Sequence, residues 1–229
     1  MKVIMMSVDI AYRTLYDLTT RLGVTVLGIY FQSYIEEREI GFAYRLIDDF
    51  ITEFKIIRGT IDYVEIPDSF FMDYGIKALW HTHIYGHIHN DSESIMFEDS
   101  ISSIDKAFLL EKAIFNLDGI GVIYLSNEGV KAEYYEIFPK CIKISQLMRK
   151  EMLNILRLKD EIDTLIQQGR YDEADKLKTE MSKLLFEYKN KLFTHAEGCI
   201  YKAFEETASF PSHLLRRTLI KIMREEVIY

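Results

Sequence analysis

Apolar residues recur at helical spacing from residue 10 to 22, with Ile10, Leu15, Leu18 and Leu22 in phase, which predicts a helix stopped by Gly23. The next run, Val24-Thr25-Val26-Leu27-Gly28-Ile29-Tyr30-Phe31, is β-branched and aromatic and predicts a buried strand. Past the charged turn Glu36-Glu37-Arg38, residues 39–46 predict a second strand, and 50–57 and 60–66 further ones. Residues 76–83 predict a strand that ends on His81-Thr82-His83. Residues 84–101 are polar, with Gly86, Asn90 and Asp91, and read as an irregular loop. Helical spacing returns from Ser102 through Ile104, Phe108, Leu109, Ala113 and Ile114, and Asp118-Gly119 closes it. Two apolar runs, 120–125 and 130–138, flank Ser126-Asn127-Glu128-Gly129, the pattern of a hairpin.

The period changes after Pro139. Met148, Ile155, Leu158, Ile162 and Leu165 keep helical spacing until Gln168-Gly169, and Ala174, Leu177, Met181, Leu184, Tyr188 and Leu192 repeat it. These segments predict an antiparallel helical hairpin, and Phe210-Pro211-Ser212 opens a last short helix to Tyr229. The expected fold class is therefore α/β (α+β): a mixed sheet flanked by helices over 1–139, followed by an all-α helical appendage over 140–229. The heptad-like helices suit self-association or a protein partner, and equally suit packing against the α/β domain.

With 48% hydrophobic and 28% charged residues among 229, the chain has ample material for a core, in one large domain or two small ones. A formal net charge of −8 argues against a nucleic-acid binder held by phosphate contacts. The one basic cluster, Arg216-Arg217 with Lys221 and Arg224, adjoins Glu225-Glu226 and reads as a solvated helical face. Cys141 and Cys199 lack metal-ligand spacing and are expected as buried thiols of an intracellular protein. Asp9 and Arg13 interrupt the apolar N-terminus before a signal core could form, and no run is long enough for a membrane span. A cytoplasmic location is expected.

The candidate chemistry lies at the end of the 76–83 run. Side chains two apart on a strand share a face, so His81 and His83 point to one side. Asp105, on the first turn of the helix opened by Ser102, would add a carboxylate. Two imidazoles and a carboxylate leave a fourth zinc position open, the arrangement of a catalytic site. The alternative for Ser102 and Asp105 is a capping pair at a helix start. His87-Ile88-His89-Asn90-Asp91 offers a separate cluster, either surface histidines of a polar loop or a further metal position, as in a phosphoesterase.

Taken together, Glu39-Ile40-Gly41 between strands, then an apolar run into His81-Thr82-His83, then Ser102-x-x-Asp105 on a helix, then a hairpin, resemble the JAMM (MPN-type, JAB-domain) zinc metalloprotease family over residues 1–139. That resemblance implies an MPN/JAB-like sheet with Zn2+ on His81, His83 and Asp105. It implies Glu39 as general base and Ser102 as a stabiliser of the oxyanion. The implied reaction is hydrolysis of a peptide or isopeptide bond, with a protein substrate that could be ubiquitin-like. Eighteen residues stand between His83 and Ser102, an insertion relative to the family pattern, and Phe42 replaces a glycine common in it. Glu36, Glu37 and Glu65 are the alternatives to Glu39. A non-catalytic MPN-type scaffold and a different metal hydrolase are the competing functions.

Overall fold

The computed structural model describes residues 4–47, 50–60, 64, 66, 71, 75–84 and 100–209. The strand that ends on the histidines is β3 (Ile76–Thr82), buried along its length apart from Lys77. Its neighbours are β1 (Ile40–Ile47), antiparallel, and β4 (Gly119–Ser126), parallel. With β2 (Phe50–Arg58), β5 (Gly129–Ile137) and β6 (Ile200–Ser209) they form a six-stranded mixed sheet in the order β2-β1-β3-β4-β5-β6. Among the described residues there are five α-helices: α1 (Ile4–Leu22), α2 (Val26–Ile35), α3 (Ser103–Lys112), α4 (Ile142–Gln167) and α5 (Tyr171–Cys199). The parallel step from β3 to β4 requires a crossover, and the chain between the two strands contains α3.

Two units make up the chain, one of Met1–Ser102, Phe115–Glu136 and Tyr201–Tyr229, the other of Ser103–Ile114 and Ile137–Ile200. In the first, α1 and α2 cover one face of the sheet. Leu15, Leu18, Ile29 and Tyr30 pack there against Phe42, Tyr44, Ala78, Trp80, Ile123 and Tyr134. Trp80 is fully buried, and its Nε1–H donates to Thr14 Oγ1 at 2.9 Å. Its ring lies over Gly121, its partner in the β3–β4 ladder, where a Cβ would come 2.1 Å from Trp80 Cε3. Glycine is required there by space.

In the second unit, Ala107 and Leu110 of α3 pack with Met148, Ile155, Tyr188, Leu192 and Ala196 of the α4–α5 pair. Lys106 Nζ and Ser103 Oγ both donate to Glu197, at 2.7 and 3.1 Å. The hydrogen bond from Lys106 holds the Glu197 carboxyl below the usual range.

Three expectations change. Residues 26–35 are helical, although Val24–Phe31 reads as a strand: Thr25 caps the helix by accepting from Gly28 N–H, and the buried set Val26, Ile29, Tyr30, Ser33 has helical spacing. Burial of that one face at helical spacing outweighs β propensity there. Residues beyond 139 are not all helical, because β6 returns to the sheet, and the α4–α5 hairpin lies between two strands in the chain. Cys141 and Cys199 are not thiols. They form a disulfide with Cα atoms 5.7 Å apart, at the start of α4 and the end of α5, which removes the cysteine argument for an intracellular chain. The expected strand over 60–66 and the helix after Pro211 fall largely or wholly outside the described residues, as does the His87/His89 cluster. Among the described residues, no helix is long and apolar enough to cross a membrane.

Closing a 58-residue separation by a disulfide stabilises the fold by about 4 kcal/mol in the chain-entropy account. Cys141→Ser/Cys199→Ser should therefore lower the unfolding free energy of the helical hairpin by that order, read as a fall in its denaturant midpoint. An unchanged midpoint would contradict the bond. Alkali gives a second test. Burial holds the phenols of Tyr44, Tyr124, Tyr134 and Tyr188 well above the usual range, and burial with the hydrogen bond to Glu133 raises that of Tyr135 to about 12. Below about pH 10 phenols are protonated in folded and unfolded chains alike, and stability is fully present. Above it the unfolded chain releases protons that the folded chain keeps, so stability falls steadily as pH rises above about 10. Phenolate absorbance from these tyrosines should appear together with loss of helical circular dichroism; their ionisation well before unfolding would refute their burial.

Candidate metal centre

The period-two geometry of β3 sorts its residues. Ala78, Trp80 and Thr82 face α1 and α2, so Leu79 and His81 face the other way. His83 lies one residue past the strand, but its N–H donates to Ile123 O at 2.9 Å, continuing the ladder with β4. The strand orientation thus carries through both histidines. Their Nε2 atoms stand 2.9 Å apart, with ring centroids at 4.7 Å and planes inclined by 65°. Both rings are buried, at 4% and 9% exposure.

Register places Glu39 beside them. Gly41 pairs with His81 across the antiparallel β1–β3 ladder. Continued by two residues, that register sets Glu39 opposite His83, and directly paired residues share a face. Glu39 is 2% exposed. Its backbone is held toward the β2 side, where its N–H donates to Thr60 O at 2.7 Å and its carbonyl accepts from Gly59 N–H at 2.9 Å. Gly41 has its own reason to be glycine: a Cβ there would meet Val64 Cγ1 at 2.7 Å.

The other glutamates are placed differently. Glu36 binds Arg58 at 3.1 Å and Gln32 at 3.2 Å on the surface. Burial alone would raise its carboxyl, but those hydrogen bonds together with the two arginine charges hold it below the usual value. Glu37 is exposed, with φ of 49°. Glu65 lies outside the described residues.

Asp105 sits on the first turn of α3, and Ser102 immediately precedes that helix. His81 and His83 belong to the first unit and Asp105 to the second, and together they offer the donor types of a group that could hold a metal ion. The donor set fits zinc: two nitrogens on a tetrahedral ion at ordinary Zn–N lengths are roughly 3.3 Å apart, close to the separation of the two Nε2 atoms.

The same sheet face carries a polar cluster that the sequence reading did not single out. His81 pairs with Val122, and Val122 with Glu133, so His81 and Glu133 face the same side two strands apart. Glu133 is buried and accepts from Tyr135 Oη at 2.5 Å and Lys202 Nζ at 2.8 Å. Lys202 also binds Glu205, and its ammonium is held above the usual range by hydrogen bonds to Glu133 and then Glu205. The alternation Lys131-x-Glu133-x-Tyr135 in β5 was the available signal, but its partner Lys202 lies on β6, a strand with no clear pattern of its own.

Comparison with protein-family models, with curated proteins and with solved structures returns no match.

Proposed function

We propose that this chain is a zinc-dependent hydrolase of JAMM type that cleaves peptide or isopeptide bonds. The observation that carries the reading is the convergence of the two buried Nε2 atoms, 2.9 Å apart, on the sheet face to which the β1–β3 register brings Glu39. His81, His83 and Asp105 would hold the metal. Zinc there would supply Lewis acidity, activating water at neutral pH and polarising an amide carbonyl.

The chain's own residues carry the remaining roles. Glu39 accepts the proton of the attacking water and returns it to the leaving amine, which needs a carboxylate within hydrogen-bond reach. Ser102 donates a hydrogen bond to the oxyanion. The substrate is a protein or peptide, with a ubiquitin-like C-terminal tail as the class to test first.

Purified protein should contain about one zinc per chain, the count expected for a mononuclear catalytic site. His81→Ala and His83→Ala should lose it, and His87→Ala should retain it. Zinc that is absent from the wild type, or that survives the first two changes, would overturn the reading. Glu39→Gln should keep the metal while hydrolysis of a fluorogenic amide of a ubiquitin-like tail falls by roughly 10²–10⁴-fold. Unaltered turnover would move the base to another residue.

A further inference from the structure

Between the two histidines, on the opposite side of β3, Thr82 is fully buried, and so is Ser33 of α2. Thr82 Oγ1 accepts from Ile40 N–H at 2.9 Å and lies 2.6 Å from Ser33 Oγ, which lies 2.5 Å from the carbonyl oxygen of Arg38. A backbone N–H can only donate and a carbonyl can only accept. Ser33 therefore spends its single proton on Arg38 O, and Thr82 must donate to Ser33. The chain has one direction: Ile40 N–H to Thr82, Thr82 to Ser33, Ser33 to Arg38 O. It begins and ends on the two residues that flank Glu39.

We infer that Thr82 and Ser33 are positioning residues, a buried hydroxyl relay that locks the Glu39 segment to the segment carrying His81 and His83. The inference rests on the zinc reading above. The reason is geometric. Thr82 is the residue between the two ligands, so fixing its side chain on the helix-covered face fixes the pitch at which its neighbours leave the other. Ile40 is the residue after Glu39, and its N–H donates to a β3 side chain where an ordinary ladder would offer a carbonyl. Neither hydroxyl touches the reacting atoms. Groups that orient metal ligands from behind are worth about 10–100-fold in metal affinity. A buried amide left unpaired is costly enough to shift the local backbone.

Zinc affinity of the full chain, measured by competition with a chromophoric chelator, tests this together with hydrogen exchange at the Ile40 amide. Thr82→Val keeps the shape and removes the hydroxyl. It should weaken zinc binding about tenfold or more and expose the Ile40 amide to exchange, and Thr82→Ser should restore both. Thr14→Val is the control: it removes a comparable buried hydrogen bond, to Trp80 on the same strand, and should leave zinc affinity unchanged. Should Thr82→Val fail to fold, Ser33→Ala replaces it, with the same two losses expected.

Wild-type zinc affinity in Thr82→Val, or an equal loss in Thr14→Val, would overturn the positioning role. An Ile40 amide still protected in Thr82→Val would overturn the relay itself. A wild type that binds no zinc would sink the metal reading, and the positioning role with it, whatever the amide does.

Discussion

The pairing of β1 with β3, in the register that sets Gly41 against His81, is the constraint on which the rest of the site depends. Side chains alternate between faces, so a slip of one residue in either strand would turn its whole set over. The histidines would then enter the core under α1 and α2, and Phe42 or Trp80 would take their place. The register is held from the helix side. Phe42, Tyr44, Ala78 and Trp80 are all buried there. Trp80 is fixed by Thr14 and needs the empty space above Gly121, while Ile40 is tied to Thr82.

The sheet therefore divides its labour by face. The side under α1 and α2 is apolar apart from hydroxyls, among which Thr14, Ser33 and Thr82 are hydrogen-bonded, and provides stability through burial. The other side buries groups that are costly to bury: Glu39, His81, His83 and Glu133. Burial of ionisable groups is tolerated when they are paired or bind metal. Glu133 has Lys202 and Tyr135 as partners, and two imidazoles in contact fit a shared cation. Concentrating such groups on one face of a well-packed sheet is how a site is held rigid without being part of the core.

The sequence made much of this legible where local pattern and burial agree. Residues 76–83 are an apolar run that ends in His-x-His, and they form the strand expected, with both rings on one side. The β4–β5 hairpin and the α4–α5 pair were readable for the same reason. The failures have physical causes. Val24–Phe31 carries strand-forming side chains, yet its burial repeats at helical spacing, and tertiary packing decides such cases. The Cys141–Cys199 bond joins residues 58 apart that meet only because α4 and α5 run back to back. Strand β6 is mixed in character because Lys202 pairs with Glu133 while Phe204, two residues on, packs against the apolar core. Thr82 was visible as the middle of His-x-His, but its role needed Ser33, Arg38 and Ile40 in view.

The central claim is that His81 and His83 face one ion from the end of β3. X-ray absorption at the zinc edge of the purified chain tests it most directly. The account predicts a low-coordinate zinc with two imidazole nitrogens at about 2.0–2.1 Å and oxygen in the remaining positions. A zinc shell without imidazole, or one of six oxygens typical of an adventitious ion, would contradict it.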